Sequence, residues 1–219
     1  MASIGPEIGL VHEEPGNSKQ NALLLWEKRG VHPLVGLFAT MIGALRPTSR
    51  AALLAEGAMK PAIAFFAASF PLMTFASFGA VGLLLGLEGE LLIYELARGI
   101  IASLAAAVGL VGCYTSLADA FGARCHKAFR AALYLAFLTP LFLVDLTPLF
   151  AQGMSASLER AERLAGFVSM APLLLLMVSL ESAAKLGARV SPREALLLGV
   201  IPVGLAFVVG KLALAVSAV

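Results

Sequence analysis

Residues 61–87, PAIAFFAASFPLMTFASFGAVGLLLGL, carry no charged side chain and lie between Lys60 and Glu88. A transmembrane α-helix needs about 20 consecutive apolar residues to cross a hydrocarbon core of about 30 Å. The run is long enough, and it is a solid apolar block without the alternation of apolar and polar residues that a membrane β-strand shows. It therefore predicts a transmembrane helix.

Four further segments of the chain are apolar blocks of similar length, each with a single charged residue. The predicted spans are 61–87, 96–118, 131–151, 164–184 and 195–217. In the whole chain 59% of the residues are hydrophobic and 14% are charged, and the mean hydropathy is +0.90. A soluble domain has about 45–50% apolar and about 25% charged residues, so the surplus apolar side chains must face lipid. The sequence predicts an all-α integral membrane helical bundle with five transmembrane helices.

The Lys and Arg residues lie mainly in alternate loops. The segment before the first span, the second loop and the fourth loop are basic, whereas the first loop carries Glu88, Glu90 and Glu95. By the positive-inside rule the basic loops face the cytosol. The sequence therefore predicts a cytosolic N-terminus and a C-terminus outside, which agrees with five spans.

Two segments precede the first span. Residues 1–20 are polar and contain Gly and Pro, so we expect a mobile tail. Residues 21–60 contain the apolar stretch Leu34–Leu45, which is too short to cross a membrane. We interpret 21–60 as a cytosolic interfacial amphipathic segment. Its helix either lies in the membrane interface with Trp26 as an anchor, or packs on the cytosolic face of the bundle.

Two ionisable side chains lie in the interior of the predicted spans, Asp145 in the third and Lys211 in the fifth, whereas Arg98 and Glu181 lie near the ends of theirs. Both spans run outward, and at 1.5 Å per residue the two positions lie about 21 Å and about 24 Å from the cytosolic ends. Because an ionisable group within a membrane is costly, it indicates a functional site or a pair. We hypothesise an Asp145–Lys211 contact in the outer third of the bundle. Such a contact would be either a gate or proton-coupled site, or a structural pair. In the remaining alternative there is no contact, and Lys211 extends to the outer interface while Asp145 reaches water.

Basic residues and one tryptophan define a candidate cytosolic contact face. Its members are Trp26, Lys28, Arg29, Arg124, Lys127, Arg130, Lys185, Arg189 and Arg193. Such cations attract anionic lipid headgroups, whereas the lack of interleaved aromatic residues in the basic loops gives no indication of nucleic-acid binding. Lys185 follows Glu181 by four positions, which predicts an ion pair on one helix face.

The sequence carries no motif for catalysis or for cofactor binding. HExxH, GxSxG, a P-loop and a GxGxxG in a strand–helix setting are all absent. The three histidines and two cysteines do not form a metal-ligand cluster. We therefore expect no catalytic, cofactor-binding or metal-binding residue, and no enzyme activity.

Three parts of the chain share a pattern with one known family. They are Leu37–Pro47 with Ala51–Gly57 and Lys60–Phe66, then Phe121–Phe129 with Pro140 and Pro148, and finally Val190–Ala195. In order, they look like an interfacial segment before span one, a glycine- and lysine-bearing loop before a span with two prolines, and a short link into the last span. The chain thus resembles the Yip-domain family of polytopic membrane proteins. The resemblance implies five spans, no catalytic residue and, in eukaryotic members, a link to Rab-type GTPases and vesicle traffic.

These observations lead to two functional hypotheses. The first is a non-enzymatic membrane protein of Yip type, a scaffold or interaction protein that contacts the lipid bilayer and a membrane or cytosolic protein partner. The second is a small transporter or channel subunit that uses Asp145 and Lys211. Richness in Ala, Leu and Gly favours a bacterial inner (plasma) membrane. The sequence leaves the oligomeric state open.

Overall fold

The protein folds into α-helices, as a computed structural model shows for residues 24–27, 30–44, 58–154, 157–188 and 190–217. The structure is 88% helical, and these ranges contain no strand. We number the helices α1 (Pro33–Ala44), α2 (Met59–Leu84), α3 (Gly89–Ala120), α4 (Cys125–Leu143), α5 (Thr147–Met154), α6 (Leu158–Ala183) and α7 (Pro192–Val216). A 3-10 turn, Leu25–Glu27, precedes α1. The predicted tail 1–20 and the side chains of Lys28, Arg29 and Arg189 lie outside the described ranges.

Four helices, α2, α3, α6 and α7, are long and apolar enough to cross a membrane. Helices α4 and α5 together make a fifth candidate span, bent by 48° at the residues between them. The prediction of a helical membrane bundle is therefore confirmed, and the chain is a multi-pass membrane protein.

Helix α3 shows why an apolar run underestimates the length of a helix. It has 32 residues, or about 48 Å at 1.5 Å per residue, whereas the hydrocarbon core is about 30 Å thick. Its first turns carry Glu90 and Glu95, which the charge pattern placed in the first loop. Charged residues end an apolar run, but Glu and Arg are good helix formers. The helix therefore continues beyond the predicted span 96–118.

The predicted third span, 131–151, falls on two helices instead of one continuous helix. Helix α4 ends at Leu143 and α5 begins at Thr147, with Asp145 between them. The Asp145 carboxylate accepts the N–H of Thr147 at 2.9 Å, and Lys211 Nζ donates to the Leu143 carbonyl at 3.2 Å. A carboxylate at a helix N-terminus and a cation at a helix C-terminus both complement the helix dipole. The two charged side chains thus stabilise the break.

Glycines end α2 and α3. Gly86 and Gly122, which follow these helices, both have a φ of +75°. The N–H of Gly122 donates to the Asp119 carbonyl and the N–H of Ala123 to the Ala118 carbonyl, each at 2.8 Å, which is the Schellman pattern. The same pair of bonds occurs around Gly86. The two short turns make α2, α3 and α4 successive antiparallel neighbours.

Helix α4 lies at the centre of the bundle. Every residue from Arg130 to Pro140 is buried, so other elements surround this part of the helix on all sides. Helices α3 and α7 pack along each other, and α6 packs on α7. The outward faces of these helices expose large apolar side chains such as Val108 and Leu212, as a surface in contact with lipid requires.

The two ends of the bundle differ in charge. We call the end where α2 begins the basic end, because Lys60 and Arg193 are exposed there. The other end, where α3 begins and α7 finishes, is the distal end. There Tyr94 donates to the Ser217 carbonyl at 2.6 Å, which ties the start of α3 to the end of α7. The start of α2 and the end of α7 therefore lie at opposite ends, and a cytosolic basic end stays a prediction.

Candidate functional site

Arg130, which the sequence placed on the cytosolic contact face, is buried. Only 1% of its side chain is exposed. It forms an ion pair with Glu27, whose side chain is 5% exposed, and its Nε donates to the Ala58 carbonyl at 3.1 Å. The prediction of a surface position was wrong because Arg130 lies on α4, where protein rather than solvent surrounds the helix.

Tyr134 completes this arrangement one turn further along α4. Its hydroxyl donates to Glu27 Oε1 at 2.6 Å, and its ring centroid lies 5.0 Å from the central carbon of the Arg130 guanidinium. A buried ion pair persists only where close geometry and further hydrogen bonds offset the desolvation of both charges. Here the Glu27 carboxylate accepts from both Arg130 and Tyr134. We call these three residues the docking cluster, because they attach the turn Leu25–Glu27 to α4.

Trp26 attaches the same turn to α2 and α1. Its indole N–H donates to the Pro61 carbonyl at 3.0 Å, and its ring meets Phe65 edge-on at a centroid distance of 6.0 Å. Its backbone N–H donates to Thr40 Oγ1 at 3.0 Å. Of the two interpretations of 21–60, the described part of the segment shows packing on the bundle, while a location in the membrane interface stays a prediction.

Helix α1 packs closely on the turn and leaves a second apolar face outside. A Cβ at Gly36 would lie 3.2 Å from the Leu25 carbonyl oxygen, so glycine permits this close approach. The outward side chains are between 50% and 60% exposed, and they are Leu34, Val35, Phe38 and Ile42. We call these four residues the α1 face. A short helix that is apolar on both sides fits between protein on one side and an apolar partner or lipid on the other.

The remaining basic residues of the predicted contact face differ in exposure. Arg124, Lys185 and Arg193 are exposed, and Lys127 is half-buried. Lys185 pairs with Glu181 one turn earlier, which confirms the predicted ion pair. The basic end therefore carries exposed cations as well as the α1 face.

A cleft of about 280 Å³ lies at the distal end. We name it the distal cleft, and its charged lining consists of Glu95, Arg98, Asp145 and Lys211. Arg98 Nη1 donates to Glu95 at 2.6 Å and Arg98 Nη2 to the Leu214 carbonyl at 3.1 Å. The cleft thus contains one internal ion pair together with two further opposite charges.

Asp145 and Lys211 border this cleft without pairing with each other. Both side chains are described, and no ion pair joins them. Lys211 Nζ lies 5.8 Å from the centroid of the Phe207 ring. Together with Val144, both residues also border a second cavity of about 440 Å³ beside α6. The two charges share a cleft, as their similar predicted depth suggested, but each binds a helix end instead of the other.

Two irregular backbone segments contribute to the distal cleft. Residues Phe75–Gly79 of α2 are π-helical, and Phe78 from this segment lines the cleft. The break between α4 and α5 contributes Val144 and Asp145. Single π-helical turns and broken membrane helices are both frequent at functional sites. The distal cleft is therefore a second candidate site, in addition to the α1 face.

Within the ranges that the structure covers, no group of three or more His, Cys, Asp or Glu side chains is placed to hold a metal ion. Comparison with models of protein families, with curated proteins and with solved structures gives no significant match to this chain. The Yip-domain resemblance therefore stays a prediction, and proposals about function rest on the two sites.

Sequence patterns did not identify Glu27 and Tyr134 as members of the docking cluster, or Glu95 and Arg98 as lining of the distal cleft. Glu27 stands in the run WEKR, and its partner Arg130 lies 103 positions further along the chain, so no local spacing connects them. Glu95 and Arg98 did carry a signal. They are opposite charges three positions apart at the start of an apolar run, which is typical of an ion pair on a helix.

Proposed function

We propose that this chain is a non-enzymatic multi-pass membrane protein of Yip type that acts as a scaffold, with the α1 face as the contact surface for a protein partner. The observation that carries the proposal is the α1 face itself, four large apolar side chains exposed on a helix whose other side is buried. Contiguous exposed apolar surface is typical of interaction sites.

The docking cluster supports this function by fixing the position of α1. Glu27 and Arg130 are almost completely buried, and Trp26 bonds both to α2 and to α1. A surface that is ordered before binding loses less conformational entropy when the partner arrives, so more of the contact energy appears as affinity. A scaffold benefits from such a preorganised surface.

Exposed cations at the basic end indicate the chemistry of the partner. Lys60, Arg124 and Arg193 are exposed at the end that carries the α1 face. Complementary charge accelerates association and fixes orientation. We therefore expect a partner with an apolar patch rimmed by acidic residues, and we place the basic end on the cytosolic side of a bacterial inner membrane.

A photo-crosslinking residue in place of Phe38 is expected to give a discrete protein adduct in native membranes, because Phe38 lies in the α1 face. The matched control is the same residue in place of Phe167, which is 80% exposed on α6 and faces away from its own bundle. The control is expected to give lipid adducts alone. Adducts are identified by mass spectrometry after gentle extraction. Lipid adducts alone at position 38 contradict the protein-contact proposal.

A small transporter or channel subunit is the second candidate, favoured by the broken pair of α4 and α5. In transporters, half-helix ends near a break bind substrates or ions. In this chain Lys211 binds the end of α4 and Asp145 the start of α5, and both line the distal cleft.

If the chain is a transporter or channel subunit, the purified protein in liposomes is expected to conduct protons down an imposed gradient. Asp145→Asn is expected to abolish this flux, because an amide cannot carry the proton. A pH-sensitive dye inside the liposomes measures the flux. Glu159→Gln is the control, since Glu159 is an exposed carboxylate on α6. Flux no faster than in protein-free liposomes rules out a proton path and leaves the scaffold proposal intact.

A further inference from the structure

We infer that the distal cleft binds a neutral zwitterion in which an ammonium group is linked to a phosphodiester, as in an ethanolamine phosphodiester group. The ammonium contacts the Asp145 carboxylate, and the phosphate contacts Lys211 and Arg98. The site lies at the end of the bundle opposite the α1 face, so the inference does not depend on the scaffold function.

Asp145 and Lys211 give the distal cleft one charge of each sign outside any ion pair among the described residues. Neither side chain has an ion-pair partner in the part of the chain that the structure describes. Asp145 uses one acceptor position for the Thr147 N–H, and Lys211 uses one of its three donors for the Leu143 carbonyl. A charge beside apolar walls is stabilised by a nearby opposite charge. A zwitterion supplies one such charge to each residue.

Arg98 provides a second donor for the phosphate. Two of its nitrogens are occupied by Glu95 and by the Leu214 carbonyl, but its Nε is buried and has no hydrogen-bond partner among the described residues. The guanidinium presents donors in a planar fork that matches phosphate oxygens. Glu95 balances the charge of Arg98, and the charges of Asp145 and Lys211 are also opposite. The four charges of the cleft therefore sum to zero. This favours a neutral zwitterion over a simple anion or a simple cation.

The size of the cleft fits a small polar group. Its volume is about 280 Å³, below the range of about 300–1,000 Å³ typical of pockets for larger ligands. The second cavity, of about 440 Å³, shares Asp145 and Lys211 with the cleft. Its other walls include the polar residues Thr147, Glu162 and Ser169, but the larger part of them is apolar, with Phe142, Met170, Leu173 and Phe207. A headgroup in the cleft can therefore continue into an acyl chain along the second cavity, and a free zwitterion can bind through the headgroup contacts alone.

The two charged groups are held in place before any ligand binds. Lys211 Nζ is fixed by the end of α4 and the Asp145 carboxylate by the start of α5, so the break sets their separation. Binding sites supported by such surrounding hydrogen bonds are more selective than sites on free side chains. The cleft should therefore distinguish a zwitterion from either of its halves.

The test titrates the purified full chain in detergent and follows its unfolding temperature, which rises when a ligand binds the folded state. The probes are glycerophosphoethanolamine, its halves glycerol phosphate and ethanolamine, and the short-chain lipids dihexanoyl-phosphatidylethanolamine and dihexanoyl-phosphatidylglycerol. We expect a zwitterion to bind at least about tenfold more tightly than either half, because each half lacks one charged contact.

The pattern among the probes also identifies the source of the ligand. Equal binding of glycerophosphoethanolamine and of the ethanolamine lipid supports a free zwitterion, whereas binding of the ethanolamine lipid alone supports a lipid headgroup. Equally tight binding of glycerol phosphate or of the glycerol lipid means a simple anion site and overturns the inference. The absence of a saturable rise with any probe overturns it as well.

Two variants test the assigned contacts. Asp145→Asn and Lys211→Met are each expected to weaken binding of the zwitterion at least about tenfold. Arg163→Gln, which removes an exposed ion pair with Glu159 on α6, is expected to leave binding unchanged. Unchanged binding in Asp145→Asn overturns the ammonium contact. Where a variant does not fold, the series of probes on the unaltered chain decides whether the cleft binds a zwitterion.

Discussion

Replacing Arg130 with methionine is expected to lower the free energy of unfolding by about 3–5 kcal/mol, because the Glu27 carboxylate then stays buried without its cation. The Glu27 side chain is only 5% exposed, so water cannot replace the lost partner. The substitution also removes the hydrogen bond to the Ala58 carbonyl, which connects α4 to the residue before α2. Denaturant unfolding in mixed micelles measures the loss. Fluorescence of Trp26, the single tryptophan, reports on the docked turn itself.

The exposed ion pair of Glu159 and Arg163 is the matched control for this prediction. These side chains are 73% and 77% exposed, so Arg163→Gln is expected to cost no more than about 1 kcal/mol. The double variant Glu27→Gln with Arg130→Met should recover part of the stability, because no unpaired charge remains buried. Equal losses for Arg130→Met and Arg163→Gln would mean that the docking cluster does not hold the N-terminal segment on the bundle.

Much of the helical architecture is predictable because a bilayer leaves the backbone few alternatives. Within hydrocarbon every N–H and C=O must bond inside the protein, so an apolar run of about 20 residues becomes a helix. The ends of the helices are harder to predict. Helix α3 begins at Gly89 rather than at residue 96, since Glu90 and Glu95 extend a helix although they interrupt an apolar run.

The break beside Asp145 had a sequence signal of a different kind. Asp145 precedes Thr147 and Pro148, and a carboxylate shortly before a proline is typical of a helix N-terminus. The length of the apolar run predicts one span with a single charge, Asp145, inside it. The capping rules instead predict that a new helix starts beside Asp145. The structure follows the capping rules, and this places Asp145 at the edge of the distal cleft.

The docking cluster had no comparable signal. Arg130 follows Arg124 and Lys127 in a basic loop, and by charge alone it resembles its neighbours. Its burial depends on the central position of α4, which no local pattern reveals. Glu27 is equally ordinary in sequence until the fold brings it to Arg130. Contacts between distant segments of a chain arise from packing, so spacing rules find the helices but not this pair.

Replacing Gly199 with valine is expected to lower the free energy of unfolding by about 2–3 kcal/mol, because α6 and α7 are too close there for a side chain. A Cβ at Gly199 would lie 2.8 Å from the Met177 carbonyl oxygen and 3.4 Å from Glu181 Cβ. The nearer atom belongs to the backbone, so no side-chain rotation relieves the contact. The two helices must move apart, and they lose the close packing through which small residues stabilise membrane helix pairs.

Gly204 on the same helix is the matched control for Gly199. It is exposed, and no atom outside its own helix surrounds the position of its Cβ, so Gly204→Val is expected to change stability by less than about 1 kcal/mol. Both variants are unfolded in the same micelles. Equal losses would assign the effect to valine itself and contradict close packing of α6 on α7. A larger loss for Gly199→Val supports the spacing of these helices, and that spacing also shapes the second cavity, because α6 and α7 both line it beside Asp145 and Lys211.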